Sequence, residues 1–343
     1  MQDAYDVIVV GGGIVGRLTA WQLAKLGKQV LLLERHRIND HDGSSRGSSR
    51  MFGESFSREI YFKLAHLSRY LWRELECETM ENLLYLNGGL DIVAGNNARN
   101  EIKDIALKLR SRKSPFEILN STDLRRKYPQ WRNVSNAYAL YSPDAGFLLA
   151  EHCMKAAILA AKNNKVIIKD QTEVVNIDLS HSKTIKIKTV SDRTHHAQKL
   201  ILTAGPWMPN ILKKLGVNLP LSVSQEQTVY FTPRCNLELF KPNNFPVWER
   251  EGSQFVYGFP MFEKKGIKIA FHQDGHYLKN LKEFSRVPFR DVINRLKKFL
   301  NRYLPDAAGE SFDATTCLYT NTPDNDFVID TIPGMPQVSF FTG

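Results

Sequence analysis

Three glycines in Gly11-Gly12-Gly13-Ile14-Val15-Gly16 stand at GxGxxG spacing, and Glu34 follows ~20 residues later. This combination suits the pyrophosphate and ribose of a dinucleotide. Gly11 permits a tight turn. Gly13 lets the pyrophosphate approach the backbone at a helix N-terminus, where unpaired N–H groups favour anions. Gly16 brings helix and strand close together. Glu34 can accept hydrogen bonds from both ribose hydroxyls and would repel a 2′-phosphate. The bare pattern is weak, so its flanks decide. The β-branched run YDVIVV (5–10) reads as a buried parallel strand, and Leu18 to Leu26 keep helical apolar spacing until Gly27. QVLLL (29–33) is a second buried strand, completing a βαβ unit. The motif itself does not separate FAD from NAD. Its place at the start of the chain, and a later strand KLILT (199–203) closing in Ala204-Gly205, favour FAD.

Other residues are informative only in their settings. GIKIAFH (266–272) alternates, so Lys268, Ala270 and His272 share one face opposite Ile267, Ile269 and Phe271. That face is either solvated or an active-site wall on which a cation stabilises superoxide as oxygen takes its first electron. Arg50 ends the loop GSSRGSSR (43–50) and reads alone as a surface arginine, although its planar fork suits a carboxylate. Cys317 reads as a small buried hydrophobe. Tyr257 and Trp248 are candidates for an apolar pocket, and Trp207 for the core or a place beside a flavin.

An amphipathic helix is expected over about 58–76, a second over 149–163 and a basic one over 288–302. Strands are expected near 83–94, 117–119, 136–142, 165–169, 227–232, 254–258, 266–271 and 338–342. The polar stretch Asn39 to Ser49 is either a flexible linker or a donor-lined loop threaded between domains. The fold class is α/β, a Rossmann-like FAD-binding domain interleaved with a sheet-rich α+β substrate domain. The first takes residues 1–82, 144–215 and 305–343, the second 83–143 and 216–304.

With 343 residues, two cores are expected. No apolar run reaches the roughly 18 residues of a membrane span. The first strand starts too early for a leader, and the cysteines Cys77, Cys153, Cys235 and Cys317 are scattered. Reduced thiols, no metal and a cytoplasmic location are expected. The net charge of +10 is spread over groups such as Arg125-Arg126-Lys127 and Lys297-Lys298. It reads as solvated helix faces or as a field attracting carboxylates, and no nucleic-acid signature accompanies it.

YDVIVVGGGIVG, the 43–50 loop, LILTAGPW (200–207), VYGFP (256–260), GIKIAFH and CLYTNTPDNDFVID (317–330) together resemble the monomeric sarcosine oxidase, N-methyltryptophan oxidase and pipecolate oxidase family. These are FAD enzymes of the D-amino-acid-oxidase type. The resemblance implies a monomer that oxidises a secondary amine of a small amino acid by hydride transfer to the flavin. The products are an imine, hydrolysed by water, and hydrogen peroxide from oxygen. It implies that Cys317 joins the flavin through a thioether, Arg50 binds the substrate carboxylate, and Lys268 promotes reaction with oxygen. His272 and Tyr257 are implied pocket residues. Gly11, Gly13, Ile14, Val15, Gly16, Glu34, Arg35, Ser44, Arg50, Val174 and Gly205 are implied cofactor contacts. Arg46 stands where the family commonly has histidine, and Gly53 where it has a second arginine. Members continue past the position of Gly343 with a GFSGHGFK-like segment that contacts flavin and carboxylate. A weakly active or inactive flavin-binding relative is therefore a further expectation, beside a dehydrogenase with another electron acceptor.

Overall fold

The computed structural model describes residues 4–38, 40, 43–180 and 184–343, so Asn39 and residues 41–42 of the polar stretch lie outside the description. Ala4–Val10, buried along nearly its whole length, is the central strand of an eight-stranded sheet. It pairs in parallel with Val30–Leu33 on one side and Thr194–Leu202 on the other. Ile167–Lys169 extends the parallel set beyond Val30–Leu33, and Met335–Thr342 runs parallel to the end of Thr194–Leu202. The helices Ile14–Lys25 and Ala150–Asn163 pack together over one face, with small residues such as Ala20, Ala160 and Ala161 in their shared core. Because successive connections leave the central strand in opposite directions, a crevice opens at its carboxyl end, where ligands of such sheets bind.

Gly11 and Gly16 make this corner possible. Gly11 has φ +109°, and a Cβ on Gly16 would lie 1.9 Å from the Gly11 carbonyl oxygen and 2.6 Å from Thr203 Oγ1. Neither neighbour can retreat, since one is backbone and the Thr203 hydroxyl is bonded to the carbonyls of Val10 and Gly11. Gly16→Ala is expected to destabilise the protein by at least ~1–3 kcal/mol, as overpacking does. The expected result is a lower melting temperature and poor dinucleotide retention. An unchanged melting temperature would show that the corner is softer than this contact implies.

The second sheet has nine strands. Ser222–Phe231 pairs with Ile267–Phe271, which pairs with Val256–Phe259, then Val247–Glu251, Gly89–Ala94, Ala137–Ser142 and Glu117–Leu119. One face is covered by Arg290–Tyr303, whose Leu296, Phe299 and Leu300 pack onto Trp131, Trp248 and Phe231. A small sheet of Ser49–Phe52, Gly146–Leu149 and Leu84–Tyr85 joins the two larger units.

Two expectations need correction. Ser311–Asn321 runs antiparallel along the whole of Ser222–Phe231, so it belongs to the second sheet. Grouping all of 305–343 with the nucleotide unit misplaces it. Only Val328–Ile332 and Met335–Thr342 return to the first sheet. Alternation identifies a strand, whereas its partner is chosen by contacts distant in sequence. Trp248 is fully buried under Arg290–Tyr303, edge-on to Trp131 at 5.0 Å and stacked on Phe299, and does not line the pocket. Period two then sends its neighbour Glu249 to the other face.

Candidate active site

A cleft of about 490 Å³ follows the carboxyl edge of the first sheet. Its walls include Gly11, Gly13, Ile14, Val15, Glu34, Arg35, Ser44, Val174 and Gly205. Gly16 lies behind them in the helix–strand contact. Glu34 accepts from the Gly12 N–H at 2.6 Å and the His36 N–H at 2.9 Å, one bond to each carboxylate oxygen. Lone pairs remain on both oxygens for ribose hydroxyls. At the helix start the Ile14 N–H donates to Ser45 Oγ at 3.0 Å, so the 43–50 loop closes over the helix N-terminus. The described part of that stretch thus packs against the glycine turn, with Ser44 and Ser45 in the cleft wall. Trp207 also lines the cleft, against His36 and under the Arg35 guanidinium, at the Glu34 end. A turn without Cβ atoms, a helix N-terminus and an acid at ribose distance fit an extended dinucleotide.

Sequence patterns did not single out Arg17, which supports this turn. Its guanidinium is 1% exposed and donates to the carbonyls of Gly12 (2.6 Å), Met154 (2.7 Å) and Ile38. Burial lowers it to about 10, with Glu34 opposing, so it stays cationic at neutral pH.

A second cavity of about 160 Å³ lies between the small sheet and the second sheet. Lys268, Arg50, His272, Tyr257 and Cys317 are brought together in its wall. Arg50 is common to both cavities and marks their junction. Its guanidinium donates to the carbonyls of Ser44, Arg46 and Ser49 at 2.6–2.8 Å, which fixes its own loop. Lys268 is 3% exposed, and its Nζ donates to Ser49 O at 3.0 Å and Ser49 Oγ at 3.1 Å. Burial first, and then the Arg50 charge, lower its pKa to about 7. Burial also lowers His272, leaving a neutral imidazole. Tyr257 is held protonated far above its usual range by burial and faces Tyr319. Burial pushes the Cys317 thiol up, while Arg50 and Lys268 pull against that shift.

The alternation of Ile267–Phe271 around Lys268 was readable from the sequence; Tyr319, Thr228, Thr315 and Glu249, which also line the cavity, were not. Among the described residues no group of three or more His, Cys, Asp or Glu is placed to hold a metal, and no helix is long and apolar enough to cross a membrane.

A cleft suited to a dinucleotide, meeting a smaller pocket at Arg50, is an arrangement that fits a dinucleotide-dependent oxidoreductase. The chain belongs to the FAD dependent oxidoreductase family, whose model matches residues 6–343. It is 29% identical to the peroxisomal sarcosine oxidase of Homo sapiens over 347 aligned residues, covering 100% of this chain and 87% of that protein. It is 29% identical to the monomeric sarcosine oxidase of Streptomyces avermitilis, covering 98% and 87%, and 27% identical to the N-methyl-L-tryptophan oxidase of Yersinia pestis, covering 99% and 89%. In fold it is similar to NikD, described as an unusual amino acid oxidase, with TM-score 0.87 and 24% identity over 99% of this chain and 89% of that one. The protein is thus an FAD-dependent oxidoreductase of the sarcosine oxidase and N-methyltryptophan oxidase type.

Proposed function

We propose that the protein oxidises the secondary amine of a small amino acid, N-methylated or cyclic like sarcosine, N-methyltryptophan or pipecolate, with oxygen as acceptor. The products are an imine and hydrogen peroxide. The observation that carries this reading is the junction of cleft and smaller pocket at Arg50, which shares the Ser49 carbonyl with the buried Lys268 of the pocket wall. Bound FAD supplies the two-electron acceptor. Arg50 binds the substrate carboxylate through its fork and so orients the amine-bearing carbon. Neutral His272 and protonated Tyr257 line the pocket without adding charge. Lys268 provides a cation, wholly enclosed, where negative charge develops on oxygen. The test is anaerobic mixing with sarcosine, N-methyltryptophan and pipecolate, followed by air. Bleaching of the flavin and then stoichiometric peroxide is expected. Failure of every secondary amino acid to bleach it would sink the proposal, and bleaching without reoxidation in air would point to another acceptor.

Cys317 is proposed to hold the flavin covalently, since its thiol lines the pocket beside Arg50 and Lys268, the two cations that favour a thiolate. Acid precipitation is expected to leave the colour in the wild-type pellet and release it from Cys317→Ser. Release from both proteins removes the covalent assignment.

A further inference from the structure

Strand pairing aligns one row of side chains across the second sheet. Asp91 stands opposite Glu249, Glu249 opposite Tyr257, Tyr257 opposite Ala270, and Ala270 opposite Thr228. Paired residues project to the same face, and Glu249, Tyr257 and Thr228 line the inner cavity. The row thus enters the cavity wall at Thr228, Tyr257 and Glu249, and Asp91 stands beside Glu249 on the next strand, behind the lining. Among the described residues no hydrogen bond or ion pair engages the Glu249 carboxylate; its recorded neighbours in charge are Asp91 and Glu251, both acidic. Burial first, then Asp91, pushes Glu249 up to about 8, and burial pushes Asp91 up to about 6 against a side-chain hydrogen bond with Ser55. Glu249 is partly buried, and an acid withdrawn from water is costly unless a cation or donors meet it. A cation placed beside Glu249 would draw it into its charged form, opposite in sign to Arg50, which lines the same cavity.

We propose that the substrate carries a second cationic group, an amine or guanidinium at the end of its side chain, which docks on Glu249 and Asp91 while Arg50 holds the carboxylate. This deepens the amino-acid oxidase reading and rests on it for the orientation of the substrate. Two strand spacings, roughly 9–10 Å, separate the Lys268 strand from the Glu249 strand. A four-carbon side chain ending in an ammonium, plus one hydrogen bond, spans about that distance. A longer neutral tail would leave the carboxyl pair buried against methylene groups, which selects against it as well as for the cation.

The test uses two acids that cannot be oxidised, 6-aminohexanoate and hexanoate, titrated calorimetrically into the flavin-loaded protein. A charge-assisted hydrogen bond in a buried site predicts that 6-aminohexanoate binds at least about tenfold more tightly. Glu249→Gln is expected to bring the ratio within about twofold, and Asp91→Asn serves in its place if that variant does not fold. Equal or tighter binding of hexanoate by the wild-type protein overturns the proposal without reference to any variant, as does a ratio that survives both substitutions. Nα-methyl-lysine and Nα-methyl-norleucine separate this inference from the function on which it rests. If neither reduces the flavin while the binding ratio holds, the amine-oxidase reading fails and the cation site stands. If Nα-methyl-norleucine reduces it and the ratio is absent, the cation site alone fails.

Discussion

Lys268→Met is expected to slow reoxidation of the reduced enzyme by oxygen roughly a hundredfold or more, the scale of losing one preorganised electrostatic donor. Anaerobic reduction by the amine should change far less. The asymmetry follows from position. Lys268 donates to Ser49, is closed off from solvent, and lies at 4.7 Å over the Phe259 ring. Its charge is therefore poorly screened and, in the proposed reaction, would act where oxygen acquires negative charge. Met fills similar volume without the charge, so a packing defect is not the expected outcome. The pH dependence has a definite sign. Lys268 is depressed to about 7, so the cation is present below that value and is lost as pH rises through it. The reoxidation rate constant should fall across that interval in the wild type and stay flat in the variant. Stopped-flow measurement of the two half-reactions checks both statements. Equal reoxidation rates would remove Lys268 from the chemistry.

Arg50→Lys is expected to raise KM for an amino-acid substrate about tenfold to a hundredfold while preserving the charge. Hydrogen bonds to charged groups contribute about 1.5–3 kcal/mol each, and an ammonium cannot reproduce the planar fork. Arg50 also ties Ser44, Arg46 and Ser49 into one loop, and Ser49 in turn accepts from Lys268. The substitution should therefore lower flavin occupancy as well. A substrate with its carboxylate replaced by an amide separates the two effects. Its KM should already be high in the wild type and change little in the variant, whereas flavin loss persists. A variant with wild-type KM for the acid would exclude Arg50 from carboxylate binding.

What was legible in the sequence was local. The βαβ corner declares itself because Gly11, Gly16 and Glu34 each meet a steric or electrostatic demand within one short segment. The strand Ile267–Phe271 shows its two faces by alternation, and Lys268 and His272 do line the cavity. Both faces of that strand are buried, however, so polarity alone gave no way to tell an active-site wall from a solvated surface. Glu249 was hidden for the same reason: an acid on a strand resembles a solvated residue until the opposite face is known to be core. Trp248 illustrates the converse, since a large aromatic suits a pocket or a core equally well, and only Arg290–Tyr303 packed over it decides. The assignment of Ser311–Asn321 to a sheet depended on its pairing with Ser222–Phe231, about ninety residues earlier, a contact no local pattern encodes.

The buried Arg17 has a consequence for the order in which the chain is made. Its guanidinium is satisfied by the carbonyl of Met154, 137 residues later, as well as by Gly12 and Ile38. While residues 1–40 emerge from a ribosome, that partner does not yet exist, and a desolvated guanidinium lacking it would weigh against closing the corner. The strand Thr194–Leu202, which flanks the central strand, comes later still. The nucleotide-binding corner should thus stay open until both have been added. Pulse proteolysis of stalled nascent chains should show the N-terminal segment becoming protected after, and not before, residue 202 has left the exit tunnel.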